Sequence, residues 1–379
     1  MPIIKRGKDT WLVRIFLGRD EKGKTRFFNE TVKGKKKDAE ALETKKKREL
    51  DLGIFIEHSK ITVDEYLDKW FEVSAKSRLK HRTYEDYIEY MKRYIRPTIG
   101  KKQLSKIKPL DIQAVYSGML EKGLSPRTVR YAHAILSSAL KQAVKWQILS
   151  VNPASMADLP QNHRKEMKAL SPEEAQRFLS AAKDDRWYVI FSLAITTGMR
   201  PEEYLGLQWK DIDFSKATAT VQRALVWNRK GGGWSLQEPK TSKSRRTIPL
   251  PTSVLNELKI HRKGQLEERL SLGQAYQNND FVFATEIGTP ILTSNLTRRH
   301  YKPILKKAEL SEKIRLYDLR HSCATLLLSA GISPKVIAER LGHSTIVLTL
   351  DTYSHVLPSM QEEATNELEQ LLFAKKRAI

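Results

Sequence analysis

Four short segments in the C-terminal half of the chain gather arginine, lysine, histidine and tyrosine. They are TTGMRPEE (196–203), PKTSKSRRTIPL (239–250), YDLRHSCAT (317–325) and LGHSTIVLTLDTYSH (341–355). A guanidinium fork grips two phosphate oxygens at once. A phenol is a competent covalent nucleophile. Two arginines, a lysine, a histidine and a tyrosine therefore hold the means for phosphoryl transfer with no metal ion. Other chemistries are missing: there is no GxxxxGK[ST] loop, no HExxH, and a single cysteine, Cys323, excludes a multi-Cys zinc site. Singly, each residue has an ordinary reading. Arg200 alone reads as a salt-bridged surface arginine and Tyr353 as a half-buried aromatic. Lys240 sits in a basic run with Lys243, Arg245 and Arg246, which by itself reads as a solvated or DNA-facing strand, with Lys243 its rival for any chemical role. His343 alone could cap a helix after Gly342. His321 and His355 read as structural, and Cys323 as core.

Order and spacing change these readings. The four segments resemble the signature of the tyrosine recombinases, the lambda-integrase family: TGxRxxE, a β-hairpin lysine, HxxR and LGHxxxxxTxxxY. The motif resemblance covers residues 170–357, and the layout of residues 1–165 also resembles the larger integrases. It implies a catalytic set of Arg200, Lys240, Arg320, His343 and the nucleophile Tyr353. Arg200 and Arg320 would hold the non-bridging oxygens of the scissile phosphate and Tyr353 would form a 3′-phosphotyrosine. Lys240 would protonate the departing 5′-oxygen, and His343 would hydrogen-bond the phosphate or position the nucleophile. The covalent link stores the energy of the broken bond, so rejoining needs neither ATP nor cofactor. Glu203 matches a position that supports the first arginine. One position departs from the pattern: the histidine of HxxR is Tyr317 here. Its phenol keeps a hydrogen bond but is a poor base near neutral pH, so the acceptor of the nucleophile's proton stays open among His343, water and the phosphate.

The resemblance implies a site-specific DNA recombinase of a phage or integrative conjugative element. Its partners would be double-stranded DNA at core and arm sites, three further copies of itself in a tetramer, an excision factor and a host DNA-bending protein. A catalytically silent architectural factor on the same fold and a type IB topoisomerase-like relaxing enzyme are the rivals. The charge agrees with a polyanionic partner. Among 379 residues, 67 Lys+Arg oppose 44 Asp+Glu, a net charge of +23. The excess is spread along the chain, at +7 for residues 1–60, +9 for 61–165 and +7 for 166–379. No apolar run is long enough to cross a bilayer and the first residues lack a signal peptide's apolar stretch, so a cytoplasmic protein without a membrane partner is expected.

The elements that must position these residues follow from pattern, for a mainly α fold with small β elements. Residues 10–17 and 25–32 have strand-forming residue types around a Gly18–Gly23 turn, and 35–51 reads as a helix. This makes a small ββ(β)α module, and the resemblance assigns it, as residues 1–57, to arm-site binding. Residues 62–157 read as four or so helices, the counterpart of a helical core-binding domain. Thr62/Glu65 form a capping box, Ser125-Pro126 opens a helix, and Pro97 is expected to end one. Residues 158–168 read as a linker. The catalytic domain spans 169–379: Ser171 opens a helix by a capping box, 187–196 is apolar all round, 217–249 alternates like strands, and Gly331 and Gly342 stand at helix ends. Its tail after Tyr353 would dock on a neighbouring protomer. The basic runs 33–37 and 45–48 are either a wet helix face or a DNA contact.

Overall fold

The computed structural model describes residues 3–19, 23–51, 60–162, 167–228, 232–239 and 242–353, with short pieces of 365–373. The chain divides into two compact units, Met1–Arg164 and Lys165–Ile379.

The first unit opens with an antiparallel sheet of β1 (Ile3–Gly7), β2 (Thr10–Arg19) and β3 (Thr25–Lys33), in that order. The sequence pattern marks β2 and β3, and the third strand is the short β1. Val13, Ile15 and Phe28 alternate onto one face and bury against Ala39 of the helix Lys36–Asp51. The opposite face carries Arg14, whose guanidinium lies 4.2 Å from the ring centre of Phe27, itself edge-on to Phe16. Phe16 is 55% exposed, so this is a cationic, aromatic outer surface.

The helical part of the first unit buries a separate core of Tyr66, Leu67, Trp70, Met91, Ile95, Ile112, Tyr116, Ile135, Leu136 and Leu140. The helix Val63–Trp70 starts at the expected capping box: Glu65 N–H donates to Thr62 Oγ1 at 3.3 Å and Thr62 N–H to Glu65 Oε2 at 2.7 Å. Ser125 caps Pro126–Lys145 in the same way. Pro97 does not end its helix. The chain runs His81–Tyr90, then a wide i→i+5 turn at Met91–Ile95, then Arg96–Ile99. The wide turn restarts the ladder, so Pro97 falls in the first turn of the next segment, where a missing N–H costs nothing.

The second unit is built around the helix Tyr188–Thr197, buried along nearly its whole length. Around it pack Pro172–Ala182, opened by the Ser171/Glu174 capping box, then Thr252–Leu272 and Asp318–Ser329. Two small antiparallel sheets complete it: β4 (Ile212–Asp213), β5 (Thr218–Val221) and β8 (Arg246–Pro249) in the order β4-β5-β8, and the hairpin β6 (Ala224–Trp227) with β7 (Trp234–Gln237). The helices Pro334–Leu341 and Ile346–Tyr353 follow. Among the described residues, no helix is long and apolar enough to cross a membrane. Among the described residues the fold is mainly helical with small antiparallel sheets, as expected.

Leu136 has no exposed surface in the helical core of the first unit. Leu136→Ala should destabilise that core by about 2–5 kcal/mol, read as a lower first transition in thermal melts of the full chain.

Candidate active site

The fold brings Arg200, Glu203, Tyr317, Arg320 and His343 together from three of the four segments, and adds Arg246 from the fourth. The buried helix Tyr188–Thr197 ends at Gly198, in the left-handed region at φ 65°. A Cβ there would stand 2.4 Å from Leu341 Cδ2, so glycine is required by packing as well as by dihedral. Two residues on, Arg200 opens the short helix Pro201–Tyr204. Its Nη1 donates to Glu203 Oε1 at 2.6 Å and its backbone N–H to Glu203 Oε2 at 2.9 Å. Glu203 also accepts from Arg246 Nη2 at 2.9 Å. Burial works against the Glu203 charge, but Arg246 and then Arg200 outweigh it and hold the carboxyl below its usual range. Burial likewise opposes the Arg200 charge. Glu203, and a hydrogen bond donated to the Tyr317 hydroxyl, more than offset that and raise its pKa.

Arg320 is only 2% exposed. Its Nη1 donates to Gly198 O and its Nη2 to Leu341 O, each at 2.7 Å. Both carbonyls lie at the C-terminal ends of helices, where unpaired carbonyls and the helix dipole favour a cation. Arg340 closes a second link between the same helices: its Nη2 donates to Thr196 O at 2.8 Å. Burial, then the neighbouring Arg200, depress the Arg320 pKa to about 10, which leaves it charged at neutral pH.

His343 follows Gly342, a left-handed cap at φ 67°. Its Nδ1 pairs with Thr349 Oγ1 at 2.8 Å. Burial, then Arg320, Arg200, His321 and Arg246, press its pKa down to about 4. It is therefore neutral at pH 7. In the tautomer in which Thr349 donates to Nδ1, Nε2 carries the hydrogen and can donate to a bound anion. Tyr317 stands at the N-cap of Asp318–Ser329, edge-on to the ring of His321 with centroids 5.4 Å apart. Burial, above all, depresses His321 to about 4 as well. Cys323 is buried, and burial raises its thiol to about 11.

Two guanidiniums, Arg200 and Arg246, thus pair with one carboxylate, a third, Arg320, stands nearby, and the imidazoles beside them are uncharged. Such a cluster lacks anionic charge, and a tetrahedral oxyanion supplies it. Arg246 is the residue that pattern reading misplaced. Its side chain is 7% exposed, whereas that of Arg245 is 57% exposed and pairs with Glu238. Strand alternation could have found it, because Arg246 shares the face of buried Ile248. Lys240 lies outside the described residues, as does His355. Its rival Lys243 is described, and its Nζ donates to Ser344 O at 2.9 Å, one residue from His343. The backbone of Tyr353 ends the helix Ile346–Tyr353. Its side chain, and most of the tail beyond it, fall outside the described residues.

Residues 168–360 match the Phage integrase family, and residues 62–120 match the N-terminal SAM-like domain of phage integrases. A tyrosine recombinase XerC-like protein of Caldanaerobacter subterraneus is 33% identical over 97% of this chain and 98% of its own. The ICEBs1 integrase of Bacillus subtilis is 30% identical over 77% of this chain and 79% of its own. Among solved structures, the Tn1549 transposon integrase in complex with circular intermediate DNA superposes with a TM-score of 0.68. It covers 81% of this chain and all of that one at 23% identity, which is a likeness of fold.

Both histidines have folded-state pKa values below the free value of about 6.5, so the unfolded chain binds more protons between pH 6.5 and 4. Their contribution to stability is complete above that window and is lost as pH falls through it. His343→Gln should flatten the decline in melting temperature between pH 6.5 and 4, followed by calorimetry.

Proposed function

The chain belongs to the phage integrase family, and from that premise we propose how its own residues perform the family's reaction. It is a tyrosine recombinase, a DNA strand-transferring enzyme that acts in site-specific recombination. Its catalytic set is Arg200, Lys240, Arg320, His343 and Tyr353, supported by Glu203 and Tyr317. The observation that carries this reading is the cluster of guanidiniums around the single carboxylate of Glu203, with neutral His343 beside it.

Double-stranded DNA enters with its scissile phosphate against Arg200 and Arg320. Their charge stabilises the pentacoordinate transition state. The Tyr353 oxygen bonds to phosphorus as the 5′-oxygen leaves, giving a 3′-phosphotyrosine, and Lys240 protonates the leaving oxygen. His343 donates to a phosphate oxygen through Nε2. Tyr317 accepts from Arg200, which leaves its O–H to donate to the phosphate. It is not the base, and the Tyr353 proton leaves by another acceptor. Reversal by the 5′-hydroxyl of a partner strand rejoins the DNA.

The three-part organisation belongs to the same proposal. Residues 1–57 bind arm sites through the sheet, 62–157 bind the core site, and 169–379 carry the chemistry in a homotetramer that excises and integrates a mobile element, with an excision factor and a host bending protein as helpers. The separate cores of the sheet module and the helical bundle support this division.

Purified protein in EDTA, given a nicked duplex bearing the element's end sequence, should form a covalent adduct seen on a denaturing gel. Tyr353→Phe should abolish the adduct while DNA affinity stays within a few fold. Tight binding without adduct would favour a silent DNA-binding factor. Deleting residues 1–57 should spare cleavage of a core site and impair integration, and intact integration would remove the arm-site role.

A further inference from the structure

The Arg246 side chain makes three polar contacts and is only 7% exposed. Nη2 donates to Glu203 Oε2 at 2.9 Å, Nε to Arg340 O at 2.6 Å and Nη1 to Ser244 O at 3.0 Å. A Cβ on Gly342 would meet Nη1 at 3.0 Å, so the left-handed glycine before His343 also makes room for this guanidinium. Arg340, whose carbonyl receives Nε, itself donates to Thr196 O and Pro249 O. The segment before Arg200, the start of β8 and the end of the helix before His343 are therefore joined in one closed ring of hydrogen bonds.

From this geometry we propose that Arg246 is a positioning residue for DNA cleavage: it holds the Glu203 carboxylate, and through it Arg200, in register with His343. The inference rests on the catalytic set proposed above. The two oxygens of Glu203 divide the work. Oε1 takes the Arg200 guanidinium, and Oε2 takes the Arg200 backbone N–H together with Arg246. The partly buried Arg340 donates to backbone carbonyls. Arg246 instead shares the one carboxylate on which Arg200 depends. The charged groups facing Glu203 are Arg200, Arg246 and, further off, Arg320. Without Arg246 the buried carboxyl loses its strongest opposing charge, so it protonates at a higher pH and releases Arg200 there.

The test uses the full chain, saturating enzyme and the nicked duplex, with single-turnover adduct formation followed from pH 5.5 to 8.5. R246Q should slow the reaction at neutral pH by about 10–100-fold. DNA affinity should stay within about threefold, because the side chain is buried away from phosphate. The acid limb of the profile should move up by about one pH unit. R246K keeps the charge and should restore much of the rate with the acid limb in its original place. On an E203Q background R246Q should cost less than about twofold more, since both act through one carboxylate. A wild-type rate and profile in R246Q would overturn the proposal. So would equal losses in R246Q and R246K with an unmoved acid limb and full additivity with E203Q, the pattern of a purely structural role. Should melting show that R246Q does not fold, R246K alone and on E203Q decides: a rate loss undiminished on E203Q overturns the proposal, and one that vanishes there supports it. Absence of any wild-type adduct would overturn the catalytic reading itself.

Discussion

Everything at the centre of the second unit depends on keeping like charges together in a place with little water. Two unit charges 4 Å apart repel by about 4 kcal/mol at an effective dielectric of 20. Arg200, Arg246 and Arg320 share the environment of one carboxylate, and the fold offsets their repulsion in two ways. Glu203 neutralises one charge directly. Carbonyls at the ends of Tyr188–Thr197 and Pro334–Leu341 receive the Arg320 donors, so the helix dipoles oppose that charge. What is left is a deficit of negative charge, the electrostatics that the proposed phosphate contact calls for.

This arrangement explains why glycine stands at two of the helix ends. Left-handed caps at Gly198 and Gly342 turn the chain sharply and present carbonyls to the guanidiniums. Their missing side chains also let the ends approach one another, as the 2.4 Å from a hypothetical Gly198 Cβ to Leu341 Cδ2 shows. The charged groups are thus positioned by backbone geometry, and side-chain flexibility contributes little.

Much of this was legible in the sequence where the cause is local. Capping boxes at Thr62 and Ser171, the serine cap before Pro126 and the apolar run at 187–196 depend on neighbours within a few residues, and each appears as an element start or a buried helix. Arg200, Glu203, Arg320 and His343 were picked out by the resemblance of their segments to the recombinase motifs, and the fold brings them into one neighbourhood. The errors share a different cause. Pro97 was expected to end a helix, but the wide turn at Met91–Ile95 is selected by packing of Met91 and Ile95 into the core, which no local rule records. The strand β1 has only two apolar residues and owes its pairing to β2. Arg246 was hidden in a basic run, because a run of charges looks solvated until the alternation of the strand is set against Ile248.

The pair between His343 and Thr349 couples the imidazole to the helix Ile346–Tyr353. Thr349 is fully buried one helical turn before Tyr353, on the same helix. Displacing this helix would pull Thr349 off the imidazole and free the ring to turn and to change tautomer. The orientation of the His343 ring and the course of the helix Ile346–Tyr353 are thus tied to one hydrogen bond.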